Sequence, residues 1–316
     1  MKVSTGNLED DFESSEMQRS RTFDELPKRK RLLTPKQGQK TAYVLLGSSV
    51  VFIVIVLGLF LGYIIVNGFR NFSFRLIFSN MDPSEGLYGI MPAIFGTFML
   101  VAGAILIALP LGLLAAIYLT EYTKGGFLVT IIDQGINNLA GVPSVVIGVF
   151  GYSFFSIVLR IGQSMIAGWL TLACMLLPTI IRTSQEALKS VPQTYREGSL
   201  ALGASKWRTI RWVVLPSALP GIATGVILSL GRAAGETAAV LFVGSGALFL
   251  HFFGGFTGIF SNLPYTLLYL YRSSGGFAEV GNVMWLISFI LIIIVFGFSG
   301  IAIRIRNRSE KQRAGM

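Results

Sequence analysis

Seven stretches of the chain contain no Asp, Glu, Lys or Arg: residues 41 to 69, 86 to 120, 134 to 159, 161 to 181, 212 to 231, 237 to 271 and 280 to 303. A bilayer-spanning helix needs roughly 20 apolar residues, and every one of these runs has that length. The runs at 86 to 120 and 237 to 271 hold 35 residues each, too many to be helix throughout, so each is expected to combine one span with interfacial chain. The pattern predicts an all-α membrane protein with six spans, near 42 to 66, 89 to 119, 132 to 159, 164 to 183, 217 to 245 and 282 to 303. Only the very short turn "RIGQS" (160 to 164) separates the third from the fourth.

Charge sets the expected orientation, because Lys and Arg collect on the cytoplasmic side of the spans. Residues 28 to 40 hold six such residues, 182 to 211 six and 304 to 313 five, whereas the opposite loops hold only Arg70, Arg75, Arg160 and Arg272. Both termini are therefore expected in the cytoplasm. Trp207 and Trp212 are placed as anchors at the inner interface and Trp169 at the outer one. The net charge of +10 reads as topology and contact with anionic lipid, and nothing in it calls for nucleic acid.

The composition agrees: 53% of the 316 residues are hydrophobic and 13% charged, against about 25% charged in soluble domains. Residues 1 to 40 differ, being polar and mixed in charge, and read as a disordered cytoplasmic tail. They lack the basic start and immediate apolar core of a signal peptide. The expected organisation is a tail over 1 to 40, a transmembrane domain over 41 to 306 with a cytoplasmic loop at 190 to 216, and a C-terminal tail over 307 to 316. Cys174, inside a span, has no intrachain disulfide partner, and His251 reads as an outer-loop residue; neither supports a metal site.

The loop "VPQTYREGSLALGASKWRTIRWVVLPSALPG" (191 to 221) carries the densest local signals. Pro192 ends one helix, and Thr194 with Glu197 three residues later forms a capping box that opens a short new one. Gly203 suits the left-handed position after that helix, Ser205 caps a second one starting at Lys206, and Pro216 marks entry into the next span. The hairpin so built either lies in the lipid interface or docks a partner. Its spacing resembles the EAA loop of ABC importer permeases, where a glutamate, two small residues, a glycine and a later I-x-L-P mark the docking site of the ATPase. Glu197, Gly203, Leu215 and Pro216 match that motif; Gly198 and Ser199 replace its alanines and Val213 its isoleucine. The chain has no G-x-x-x-x-G-K-[ST] phosphate loop, so ATP hydrolysis is expected in a separate chain and no cofactor is expected in this one. "SSGGF" (273 to 277), faintly like an ATPase signature, reads as an outer turn.

"GRAAGET" (231 to 237) places Arg232 and Glu236 within a stretch whose 20 preceding and 35 following residues carry no charge. Arg232 lies 16 residues past Pro216, roughly 24 Å along a continuous helix. An arginine at such depth costs about 2.5 to 3.5 kcal/mol and should face protein or water. The pair either braces the bundle at i, i+4 spacing or marks a transport path. The glycines Gly221, Gly225, Gly231 and Gly235 read as close helix packing. A guanidinium fork suits a tetrahedral oxyanion, and a carboxylate beside it fits an anion that still carries a proton, as phosphate does and sulfate does not.

"NNLAGVPSVVIGVFG" (137 to 151), "RTSQEALKSVP" (182 to 192), "GRAAGETA" (231 to 238) and "NLPYTLLYLY" (262 to 271) together resemble the PstA-type permease subunit of bacterial phosphate ABC importers, from Leu87 to Arg306. The resemblance implies a type I (MetI-like) permease fold in the bacterial inner membrane. It further implies a PstC-like second permease related by a pseudo-twofold axis, two PstB-like ATPase subunits and an extracytoplasmic PstS-like phosphate-binding protein. Carried onto this sequence, Arg232 and Glu236 become the intramembrane phosphate-pathway pair, Arg182 a second basic group, and Glu197 to Gly203 the docking loop. One departure is "GETAAV", where PstA-type chains commonly have proline after GETA. A permease for sulfate or molybdate and the sister PstC type stay open as alternatives. An intramembrane enzyme built on Glu236 lacks a nucleophile, metal ligands or a histidine partner, and a passive channel has no use for a docking loop.

Overall fold

The computed structural model describes residues 35–82, 87–123, 125–246, 255–273 and 278–314. The expected N-terminal tail through residue 34, His251 and residues 274–277 of the "SSGGF" turn lie outside them. The chain divides into two units, residues 1–61 and 62–316. In the first, helix α1 (Pro35–Arg70) begins, and its residues 41–60 are exposed along their whole length. Leucine, valine, isoleucine and phenylalanine are distributed all round it, which suits a hydrocarbon environment on every side.

The second unit receives the end of α1 and continues with α2 (Phe74–Phe78), a two-residue antiparallel ladder of β1 (Met81–Asp82) and β2 (Leu87–Tyr88), and α3 (Met91–Ile117). There follow α4 (Phe127–Ala140), α5 (Ser144–Gly151), α6 (Met165–Lys189), α7 (Gln193–Ala201), α8 (Lys206–Thr209), α9 (Leu215–Ala234), α10 (Ala238–Leu241), α11 (Leu263–Ser273) and α12 (Ala278–Ala314). Three helices widen into π-helical turns, α3 at Tyr118–Tyr122, α5 at Tyr152–Val158 and α8 at Ile210–Val214.

Five helical stretches are long and apolar enough to cross a membrane: Gln39–Arg70, Met91–Tyr122, Met165–Lys189, Lys206–Ala234 and Val280–Arg304. The expected span at 132 to 159 is not one straight helix. It is α4 and α5, bent by 105° where Gly141, Val142 and Pro143 interrupt the helix. Proline has no N–H to donate and pushes the residue before it out of helical conformation, so the bend is written into "GVP". The bent pair still carries the chain across once. Glu121, at the end of α3, bonds Arg196 beyond the C-terminus of α6, while Ser164 starts α6 at its other end. Between them α4 lies against Arg182 in the last turns of α6, and Gly151 lies against Thr171 near its start.

Helix α6 is the centre of the unit. Its Leu172, Leu176 and Ile180 are fully buried against Leu100, Val101, Ala104 and Ala108 of α3. On its other side α9 approaches closely through small residues: a Cβ on Gly221 would stand 2.6 Å from that of Ala187, and one on Gly225 would overlap Thr183. Gly231 and Gly235 have no such contact, so the expected glycine packing holds for the first pair only. Trp169, expected as an interfacial anchor, also packs between helices; its indole N–H donates to Met99 O at 2.9 Å.

Candidate functional site

The fifth span was expected to run to residue 245, but α9 ends at Ala234. Glycine is a poor helix former, and at Gly235 the chain turns; Glu236 N–H still reaches back to Ala233 O at 3.3 Å. Glu236 therefore sits in the break rather than one turn above Arg232 on the same helix. Its Oε1 accepts from Ala239 N–H at 3.3 Å, satisfying an open donor in the first turn of α10. That short helix is held by α5, because Gly148 brings the two backbones together: a Cβ there would lie 2.8 Å from the carbonyl oxygens of Ala238 and Ala239.

Arg232, in the last turn of α9, is exposed and makes no hydrogen bond or ion pair among the described residues. The bracing contact with Glu236 is thus absent from this conformation. A free guanidinium at a broken helix end, with a half-buried carboxylate four positions on, leaves a positive fork and a hydrogen-bond acceptor open to the surroundings of the bundle.

Arg182 is differently placed. Its Nε donates to Asn137 Oδ1 at 2.9 Å, Nη1 to Asp133 Oδ1 at 3.0 Å and Gln185 Oε1 at 2.8 Å, and Nη2 to Asp133 O at 2.7 Å. The guanidinium fastens α4 to α6 and is already neutralised by Asp133. Both side chains keep part of their surface open, 28% for Arg182 and 36% for Asp133. Asp133 and Asn137 escaped the sequence reading because they lie 49 and 45 positions from their partner.

The hairpin over 190 to 216 forms as a unit. Gly203 takes φ +82°, a left-handed conformation that glycine adopts without strain, and Ser205 Oγ accepts from Arg208 N–H at 3.4 Å to cap α8. The capping box does not form. Helix α7 already starts at Gln193, with Pro192 O accepting from Tyr195 N–H at 3.2 Å, so Thr194 lies within the first turn. Glu197 is exposed on that helix, and Leu202 at the turn is 90% exposed. Ser199 Oγ and Thr209 Oγ1, 2.9 Å apart, join the two arms.

A bundle of long apolar helices with a rigid polar hairpin at one end and a free arginine at a broken span defines a membrane transport subunit. The chain belongs to the family of binding-protein-dependent transport system inner membrane components, whose family model matches residues 108–303. It is 39% identical over 188 residues to YqgI, a probable ABC transporter permease protein of Bacillus subtilis, covering 60% of this chain and 64% of that one. Phosphate transport system permease protein PstA 1 of Mycobacterium tuberculosis is 37% identical over 73% of this chain and 75% of its own length. PstA of Yersinia pestis is 34% identical over 82% and 86%. The fold is shared with solved structures. The MetNI methionine ABC transporter in an inward-facing form aligns with a TM-score of 0.54 at 23% identity, over 72% of this chain and 98% of that one. A bacterial alginate ABC transporter aligns with a TM-score of 0.57 at 14% identity, over 88% and 99%. The MetI-like permease fold expected from the resemblance is the one observed.

Proposed function

We propose that this chain is a PstA-type permease subunit that forms half of the translocation pathway of an ATP-driven phosphate importer. The observation that carries the reading is Arg232, exposed and free of partners among the described residues at the broken end of a membrane-crossing helix. A lone guanidinium in that position is costly unless something anionic or aqueous meets it, and a permease supplies both. The phosphate transport permeases among its relatives support the choice of anion. Arg232 donates to two phosphate oxygens, Glu236 accepts from the protonated one, and Arg182 extends the basic lining with Asp133 as its resting counter-ion.

The remaining roles follow from the same reading. A PstC-like permease completes the pathway across a pseudo-twofold axis, a PstS-like protein delivers phosphate from outside, and PstB-like ATPases dock on α7 through Glu197, Gly203, Leu215 and Pro216. Both termini lie in the cytoplasm. The test is reconstitution of the complex in liposomes with the binding protein: phosphate should stimulate ATP hydrolysis and accumulate inside, with sulfate a poor competitor. Accumulation without nucleotide would overturn the reading in favour of a channel, and equal sulfate uptake would overturn the choice of phosphate.

A further inference from the structure

Arg196, in α7, contributes to the positive-inside count but has no place in the docking motif. Its guanidinium nevertheless joins three elements. Nε donates to both carboxylate oxygens of Glu121 at 3.2 and 3.3 Å, and Nη2 to Glu121 Oε1 at 2.7 Å. Nη2 also reaches Leu188 O at 2.8 Å, and Nη1 reaches Val191 O at 2.7 Å, satisfying carbonyls at the C-terminus of α6. The two side chains are only 13% and 8% exposed. Lys206 of α8 adds a second grip, its Nζ lying 5.0 Å from the centroid of the Tyr122 ring beside Glu121.

The arrangement matters because of chain connectivity. The hairpin is covalently continuous with α6 on one side and α9 on the other, so any force on α7 reaches those two spans through the backbone. Helix α3 has no such link, since residues 123 to 189 intervene between its end and the hairpin. A charge-assisted fork shielded from water holds its geometry far better than an exposed ion pair, and is suited to pull without slack.

We propose that Glu121 and Arg196 are positioning residues that transmit displacement of the hairpin to α3, so that α3 moves together with α6 and α9 in each ATP cycle. This rests on the reading that an ATPase docks on α7. The experiment uses the reconstituted complex and measures ATPase co-purification, ATP hydrolysis and phosphate moved per ATP. In Glu121→Gln, which keeps an acceptor but loses the charge, and in Arg196→Lys, which keeps the charge but loses the fork, the ATPase should stay bound. ATP hydrolysis should continue, while phosphate moved per ATP falls about tenfold. A double variant, Glu121→Cys with Arg196→Cys on a Cys174→Ala background, should be uncoupled after assembly, regain coupling when bridged by a short bis-methanethiosulfonate reagent, and lose it again on reduction. Parental coupling in the single variants, failure of the bridge to restore it, or failure of the variants to assemble would each overturn the proposal. A parental chain that does not cross-link to the ATPase from a cysteine at position 197 would instead sink the docking reading, and the proposal with it.

Discussion

Arg232 and Glu236 differ in what holds them, and that difference makes them separable by mutation. Glu236 caps α10 through one carboxylate oxygen, and a glutamine at that position still offers a carbonyl oxygen to Ala239 N–H. Glu236→Gln should therefore leave assembly intact and remove only the charge. The expected outcome is normal yield of complex, phosphate flux down at least about tenfold, and weaker rejection of sulfate, as expected when a site loses a group that penalises the wrong ligand. Unchanged flux and selectivity on the same preparation would remove Glu236 from the pathway. Arg232→Lys keeps the charge and loses the planar fork, and should depress flux with assembly unaffected, because no internal contact among the described residues is broken. The oddity of this pair was legible in the sequence as two charges within a long uncharged region. Their separation by a helix break was signalled only by Gly235, which looked the same as the packing glycines Gly221 and Gly225.

Elements were legible wherever their determinants were local. Gly203 and Ser205 specified the turn of the hairpin and the cap of α8 from adjacent residues. Thr194 misled because a serine or threonine ahead of a glutamate is a cap only if its own backbone is still extended, and Pro192 had already started the helix. The ties of Arg196 to Glu121, 75 positions away, and of Arg182 to Asp133, 49 away, had no local signature at all. The turn and the packing of α6 on α9 can each be tested. Gly203→Pro forces φ near −65° where the chain needs +82°, and should abolish ATPase co-purification while the protein remains inserted. Gly203→Ala, costing about 1–2 kcal/mol in a left-handed conformation, should only weaken it. Gly225→Ala places a methyl group onto Thr183 and should lower the stability of the purified complex by about 1–3 kcal/mol, read as a fall in its thermal midpoint in detergent.

At the scale of the whole molecule, the sequence pattern supplied the crossings but not their shapes, since an uncharged run records thickness of membrane and says nothing of a bend inside it. The broken pair α4 and α5 passes as one span in any count of charges. Reporters active only in the cytoplasm should work when fused near residue 204 or after residue 310 and fail near Arg160, the end of the bent pair; activity at Arg160 would mean that the pair re-enters without crossing. The wide turn at Ile210–Val214 has a consequence for how the gene tolerates length changes. A hydrogen bond that spans five residues there spans four in the helix around it, so the turn holds one residue in surplus. Removing Trp212, whose side chain is exposed, would let the turn rewind as ordinary α-helix and leave Arg232 facing the same way. Removing a residue from Leu215–Ala234 has no such reserve and would swing Arg232 by about 100° relative to the hairpin. A scan of single-codon deletions from Lys206 to Ala234 should therefore show growth on limiting phosphate surviving within 210 to 214 and lost beyond it, which would make that turn a natural site for insertions and deletions among related genes.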